Sequence, residues 1–478
     1  MAFSGNHETA MTQNTIHLPA APVRGECDAL VCGGGPAGCA AALAARREGL
    51  DVLLVEAQGQ LGGTGTSGLV THWLGGRMDG GREWAVGGLF RSLAEEAAAL
   101  GIARLPLGTD YQTKYQPHGW FRGLLEGVPF DPFGMAAFLD RKMEEAGVRV
   151  RLDTQAAQPV VHDGRISHVV LANKDGLTAV STRAVIDATG DADLAARSGC
   201  RVVCGREGDG LMAPASLEFL MDGVDMEALS AYIHEHDTPR FREEIRKLRE
   251  AGEWPFPYDI MIAVETDRPG TVMVNTTRLV GVDGTSAASM SDGLRRGRRE
   301  VLDLADVLRR RFPGFADARV KAVAPMLGVR ETRRIMGRVV MGVSDVLDRR
   351  AFPDVIGFSA YGWDLPDPRK PSCQPMHERK VAAPRMIPIP FAIMVPEPVE
   401  NLLCPGRAVS VERDVLGPLR VMAPCMAMGE ACGAAAAQIA AGTPNFNVDA
   451  ERLRARLHDC GCVVDAQPLR SGDRLPSG

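Results

Sequence analysis

The stretch "CDALVCGGGPAGCAAALAARREGLDVLLVEAQGQLGGTGTSGLVTH", Cys27 to His72, decides the fold. Residues 27–33 form a short apolar strand, and the "AGCAAALAARREGL" that follows is rich in strong helix formers. "DVLLVEA" then reads as a buried parallel strand ending in an acid. Strand, glycine turn, helix and strand make one βαβ unit.

Gly33, Gly35 and Gly38 satisfy G-x-G-x-x-G between that strand and that helix. The first glycine permits the tight turn, the second lets backbone reach a pyrophosphate, and the third lets helix and strand pack closely. The helix N-terminus adds unpaired N–H groups and partial positive charge. Glu56 follows 23 residues after Gly33, where an acid accepts ribose hydroxyls and repels a 2′-phosphate.

Three further features select FAD over NAD. A second glycine cluster, "GQLGGTGTSG", follows the acid; "VIDATGDADLAARSG" is a strand ending in Thr189-Gly190-Asp191; "NLLCPGRAVS" adds a late strand and glycine turn. "RVMAPCMAMGEACGAAAAQIAAG" is a small-residue helix like the one after Gly38, so a late piece of chain completes the nucleotide domain.

The motifs "GGGPAG", "LGG", "IDATGDADLA", "GVRETRRIMG", "IPIPF", "NLLCPGR" and "RVMAPCMAMGEACGAAAA" span residues 27–465. On these the chain resembles the glutathione-reductase-like FAD superfamily and, more narrowly, the bacterial FAD-dependent oxidoreductase family. The resemblance implies FAD held through Gly33, Gly35, Gly38, Glu56, Gly63, Thr64, Gly190 and Asp191, with Pro36, Ala37, Ala156, Gly406 and Arg407 completing the set. It also implies that the helix starting near Val421 aims its N-terminus at the flavin ring. Many superfamily relatives carry Gly-Asp where this chain has Gly406-Arg407, so the ribityl contact of that Asp must come from elsewhere here.

The expected architecture is α/β: a Rossmann-like FAD-binding domain assembled from discontinuous segments, with a second α+β substrate or cap domain. Its expected parts are a tail (1–25), the first FAD segment (26–205), the cap (206–385), the return segment (386–465) and a second tail (466–478). The helix "RRGRREVLDLADVLRRRF" interleaves Arg295, Arg299 and Arg309 with Glu300, Asp303 and Asp306, which reads as a solvated face.

The chain's 478 residues, 45% hydrophobic and 24% charged, suit a two-domain globular protein. A net charge of −6 offers no footprint for nucleic acid, which argues against an RNA-acting flavoprotein. No window reaches the roughly 18 apolar residues of a membrane span, and the N-terminus lacks a signal-peptide pattern. Eleven cysteines without such a signal point to reduced thiols in the cytoplasm. The pair Cys460 and Cys462 lacks a zinc-ribbon partner, and Cys425 has no dithiol partner at C-x-x-C spacing, so neither metal nor disulfide chemistry is expected.

For the reacting side, His72 is the candidate acid or base titrating near neutral pH, with a structural histidine as the equal alternative. Arg330, Arg333 and Arg334 of "VRETRR" and Arg420 are candidates to clamp a carboxylate or polarise a carbonyl, with Glu331 expected to pair one of them on a helix surface. Tyr361, Asp364 and His377 are candidate pocket residues from the second domain. Ala427 to Gly433 are small enough not to obstruct approach to the ring, and the same segment also reads as a close-packed core helix. The expected activity moves a hydride between a small organic substrate and flavin N5, as a dehydrogenase or oxidase with an unidentified electron partner. The alternative is an NAD(P)H-dependent reductase or monooxygenase using the same pocket, and a non-catalytic FAD subunit is a further reading.

Overall fold

A computed structural model describes residues 20–107, 126–238 and 240–465. Both expected tails lie largely outside these residues, but the first strand, Val23–Cys32, begins inside the segment expected to be a tail. It pairs in parallel with Val52–Val55 on one side and Gly176–Asp187 on the other, and Val52–Val55 pairs with Arg149–Arg151. The strand Gly176–Asp187 is long enough to serve two partners. Its first half pairs antiparallel with Arg165–Asn173, and Val185 and Ile186 pair in parallel with Leu402 and Leu403. The meander closes on Gln155–His162. A late strand therefore enters the early sheet, as expected of a discontinuous FAD-binding domain.

Two helices lie together on this sheet, Pro36–Arg47 and Met422–Ala440. A Cβ added at Gly429 would stand 2.0 Å from the Ala37 carbonyl oxygen, and one at Gly433 would stand 2.3 Å from that of Ala41. The small residues of "MAMGEACG" thus serve backbone-to-backbone approach between helices. Glu430, buried at the same crossing, accepts from Arg47 Nη2 at 2.7 Å and from Leu89 N at 2.7 Å. That second bond satisfies an orphan amide of the helix Gly88–Ala99.

The second unit has an antiparallel sheet in the order Ala263–Glu265, Val272–Val274, Phe219–Asp222, Arg319–Val323. The helix Ala287–Arg311 packs over it with Val301, Leu304 and Leu308 buried. Its core draws on residues 215–327, whereas Met341, Ile356, Trp363 and Met376 join the core around the two small-residue helices. As a packing unit the cap is narrower than the 206–385 expected from composition. The helix face read as solvated is also interrupted, because half-buried Glu300 accepts from Tyr258 Oη at 2.9 Å and from Arg278 N at 3.2 Å. Leu61 sits in the first core and Leu69 in the second, so the second glycine cluster ties the units together.

Among the described residues no helix is long and apolar enough to cross a membrane, and no three His, Cys, Asp or Glu side chains stand where they could hold a metal ion. All eleven cysteines are free thiols.

Gly429→Ala should separate the two helices, because a backbone carbonyl cannot rotate aside. Overpacking of this kind costs about 1–3 kcal/mol, and a urea midpoint unchanged from the parent would contradict the crossing.

Candidate functional site

The glycine loop is held by contacts that leave no room for other residues at two of its three positions. Gly33 has φ +107°, and a Cβ there would meet the Ala188 carbonyl oxygen at 2.3 Å. A Cβ at Gly38 would stand 1.7 Å from the Gly33 oxygen. Gly35, the N-cap of Pro36–Arg47, differs: its φ is −71°, and an added Cβ meets nothing within 4 Å. The space that a Cβ would enter is the cavity itself.

That cavity has a volume of about 640 Å³. Of the expected cofactor residues, Gly33, Gly35, Pro36, Ala37, Glu56, Gly63, Thr64, Ala156, Gly190, Asp191, Gly406 and Arg407 line it. Gly38 does not; it lies beneath the loop against Gly33. Val421, Met422 and Cys425, at the start of the helix Met422–Ala440, line the same space, so two helix N-termini open on it. The residues present suit FAD: an open cradle at Gly35, a helix N-terminus beside it for phosphates and an acid at the ribose position.

Glu56 accepts from Gly34 N at 2.5 Å and Gln58 N at 2.8 Å, and burial raises its carboxyl above the usual range against those bonds. Asp187 is fully buried and accepts from Thr189 Oγ1 at 2.6 Å, Leu194 N at 2.9 Å and Ala195 N at 3.0 Å. It fixes the turn that presents Gly190 and Asp191. Asp191 Oδ1 in turn accepts from Arg407 Nη2 at 2.5 Å and Thr332 Oγ1 at 2.7 Å. The arginine that replaces the superfamily's Asp thus engages the other acid expected at the cofactor.

His72, Arg330, Tyr361 and Arg420 also line the cavity. His72 pairs at strand level with Pro129, and its Nδ1 lies 3.1 Å from Thr71 Oγ1. Burial, aided by the Arg104 charge, lowers its pKa to about 3. The imidazole is therefore neutral at ordinary pH, which does not suit the expected role of a group titrating near 7. "VRETRR" is not a helix surface: Arg333–Ile335 is a short strand pairing with Val202–Cys204. Glu331, fully buried, pairs with Arg413 at 2.5 Å and Arg334 at 3.4 Å. Arg333 turns to Asp193 at 2.9 Å, so of the three arginines only Arg330 reaches the cavity. His377, on the short helix Pro375–Glu378, is not among the lining residues.

The sequence reading missed Glu218, Asn275 and Arg278, which line the cavity from the second unit. Arg278 is 5% exposed, and its Nη1 donates to Thr277 O at 2.8 Å, Ser216 Oγ at 3.1 Å and Asn275. Arg330 is 9% exposed and donates to Pro214 O at 2.6 Å. Burial lowers the pKa of both guanidiniums, and Arg278 and Arg420 repel Arg330 further. Glu218 is 2% exposed and forms no side-chain hydrogen bond among the described residues; burial drives its carboxyl well above the usual range against the pull of Arg330 and Arg278. A lone acid in the apolar run "ASLEFLM" was the available signal. Burial also opposes the charge of Asp364, but Arg420 and Arg330 outweigh it and hold that carboxyl below the usual range. Asp364 accepts from Arg420 Nη2 at 3.2 Å, Gln374 Nε2 at 2.7 Å and Tyr361 Oη at 3.3 Å.

The family described as FAD dependent oxidoreductase matches residues 28–457. A curated relative, digeranylgeranylglycerophospholipid reductase 1 of Methanopyrus kandleri, is 29% identical over 219 residues, 45% of this chain and 52% of the relative. The chain thus spans about half the length of the curated relative it matches. Two solved structures are similar over most of the chain. A geranylgeranyl bacteriochlorophyll reductase-like protein of Thermoplasma acidophilum is 12% identical with a TM-score of 0.42, covering 91% of this chain and 82% of the other. L-proline dehydrogenase from P. horikoshii is 11% identical with a TM-score of 0.42, covering 92% and 98%. The chain belongs to the FAD-dependent oxidoreductase family.

Gly35→Ala should leave the melting temperature of the cofactor-free chain near that of the parent and abolish FAD retention through purification. Gly38→Ala should lose the fold as well. Equal FAD content in Gly35→Ala and parent would move the cofactor away from this loop.

Proposed function

We propose that this FAD-dependent enzyme moves a hydride between a small organic substrate and flavin N5, acting as a dehydrogenase or oxidase. The observation that carries this reading is the continuity of one cavity. It runs from the glycine loop and both helix N-termini to a polar wall of Glu218, Arg278, Arg330, Tyr361, Asp364 and Arg420. FAD, when bound, supplies the hydride acceptor or donor.

The chain's own residues divide the remaining work. The backbone at Gly33 and Gly35 and the start of Pro36–Arg47 would hold the pyrophosphate, and Glu56 the adenosine ribose. The start of Met422–Ala440 supplies positive potential where negative charge develops on reduction. Asp364 keeps its charge and orients Tyr361 and Arg420 through one carboxylate oxygen, Oδ2, and its backbone carbonyl. Glu218, whose carboxyl binds its proton far more tightly than an ordinary glutamate, holds or takes the substrate proton. Oxidation of a substrate needs Glu218 deprotonated, so its rate should rise with pH through that elevated pKa.

One dinucleotide fingerprint supports electrons leaving to a quinone, O₂ or a carrier rather than to a resident nicotinamide. The reverse direction, reduction of substrate, is favoured by one observation, the reductase name of the curated relative. Anaerobic stopped-flow mixing separates the two. Rapid bleaching of the flavin by NADH or NADPH would sink the oxidative reading. Glu218→Gln should lower kcat/KM by about 10²-fold and flatten the rising pH limb, while FAD content stays at the parental level. A parental limb that persists in the variant would remove Glu218 from proton transfer.

A further inference from the structure

We infer that the substrate of this cavity carries a carboxylate, received by Arg278, Arg330 and Arg420. The inference rests on the reading that the substrate occupies the cavity beside the FAD site. The three arginines come from separate places in the chain: one follows the strand Val272–Val274, one precedes Arg333–Ile335, and one is the C-cap of the helix Arg413–Leu419. All three line the same space.

Arg420 pairs with Asp364 at 3.2 Å, but the charges of Arg278 and Arg330 meet no such partner among the described residues. By contrast, buried Arg334 and part-buried Arg413 share Glu331, and part-buried Arg407 takes Asp191. Arg278 and Arg330 form no ion pair among the described residues, although both are nine-tenths or more buried. Their hydrogen bonds run to neutral carbonyl, hydroxyl and amide oxygens. Among the described residues, Arg278 Nε and Arg420 Nε are buried donors with no acceptor.

Two carboxyl groups stand on this wall, and neither neutralises the pair. Asp364 is committed to Arg420, Gln374 and Tyr361. Glu218 makes no ion pair with either arginine among the described residues, and burial raises its carboxyl above the usual range. A buried cation without a counter-ion is unfavourable unless an anion completes it. A planar carboxylate offers two oxygens that match guanidinium forks. The phosphates of FAD would not fill this role, because the glycine loop and helix N-termini would be their partners.

The test uses the full FAD-loaded chain and follows the flavin absorption spectrum during titration with acetate, succinate, acetamide, succinamide and inorganic phosphate. At least one acid should perturb the spectrum saturably while its amide does not. Arg278→Met should weaken that acid at least tenfold, with Arg278→Lys recovering part of the loss. Because Arg278 also braces Ser216 and Asn275, the variants count only with parental FAD content; the acid-against-amide comparison in the parent needs no variant. Amides binding as tightly as acids, phosphate matching the acids, or no saturable perturbation by either acid would each overturn the assignment. Failure of the hydride-transfer reading looks different: the acids bind, yet no substrate bleaches the flavin.

Discussion

The contact on which the rest depends is the approach of two helix backbones, Pro36–Arg47 and Met422–Ala440. Gly429 and Gly433 lie against the carbonyls of Ala37 and Ala41 at distances that exclude any side chain. A helix N-terminus carries roughly half a positive charge, and ordinary side chains at the crossing would hold the two N-termini apart. Close contact brings both to one cavity, although nearly 390 residues separate Pro36 from Met422. Glu430 turns the same crossing into a three-helix junction through Arg47 and Leu89. The crossing also explains why the late strand Leu402–Leu403 returns to the early sheet, since the helix after it can dock only beside the first.

The second unit contributes charge rather than shape. Burying an ion costs several kcal/mol even after relaxation, whereas a neutral hydrogen bond returns only about 1 kcal/mol. Against a net stability of about 5–15 kcal/mol for a domain, two guanidiniums without ion pairs on one cavity wall are a substantial load. Well-packed apolar residues at Arg278 and Arg330 would relieve it. Retention of both ties the sheet of the second unit to what the cavity binds.

The parts of the fold legible in the sequence are those in which neighbours along the chain do the work. Gly33, Gly35, Gly38 and Glu56 could be assigned because a strand, a turn and a helix of fixed length dictate their spacing. Glu218 and Arg278 could not, because antiparallel pairing of Phe219–Asp222 with Val272–Val274 brings their surroundings together across some 50 residues. "VRETRR" misled for a related reason. Its alternating charges mimic a helix surface, yet Glu331 is drawn inside by Arg413, 82 positions later. The small residues of "MAMGEACG" were legible as those of a close-packed helix, but sequence does not say which backbone approaches them.

His72, Asp364 and Glu218 line the same cavity, and burial acts on all three with different results. It strips His72 of its charge, and no carboxylate restores it. It opposes the anion of both acids, but Asp364 is less buried than Glu218 and has Arg420 at 3.2 Å and donors from Gln374 and Tyr361, so its anion survives. Glu218 receives only the longer-range pull of Arg330 and Arg278, too little to offset desolvation. Two carboxyl groups whose environments push their pKa values apart divide the labour of fixed charge and exchangeable proton. On that division Asp364 orients the arginine wall, and Glu218 is the group able to change protonation as a substrate reacts.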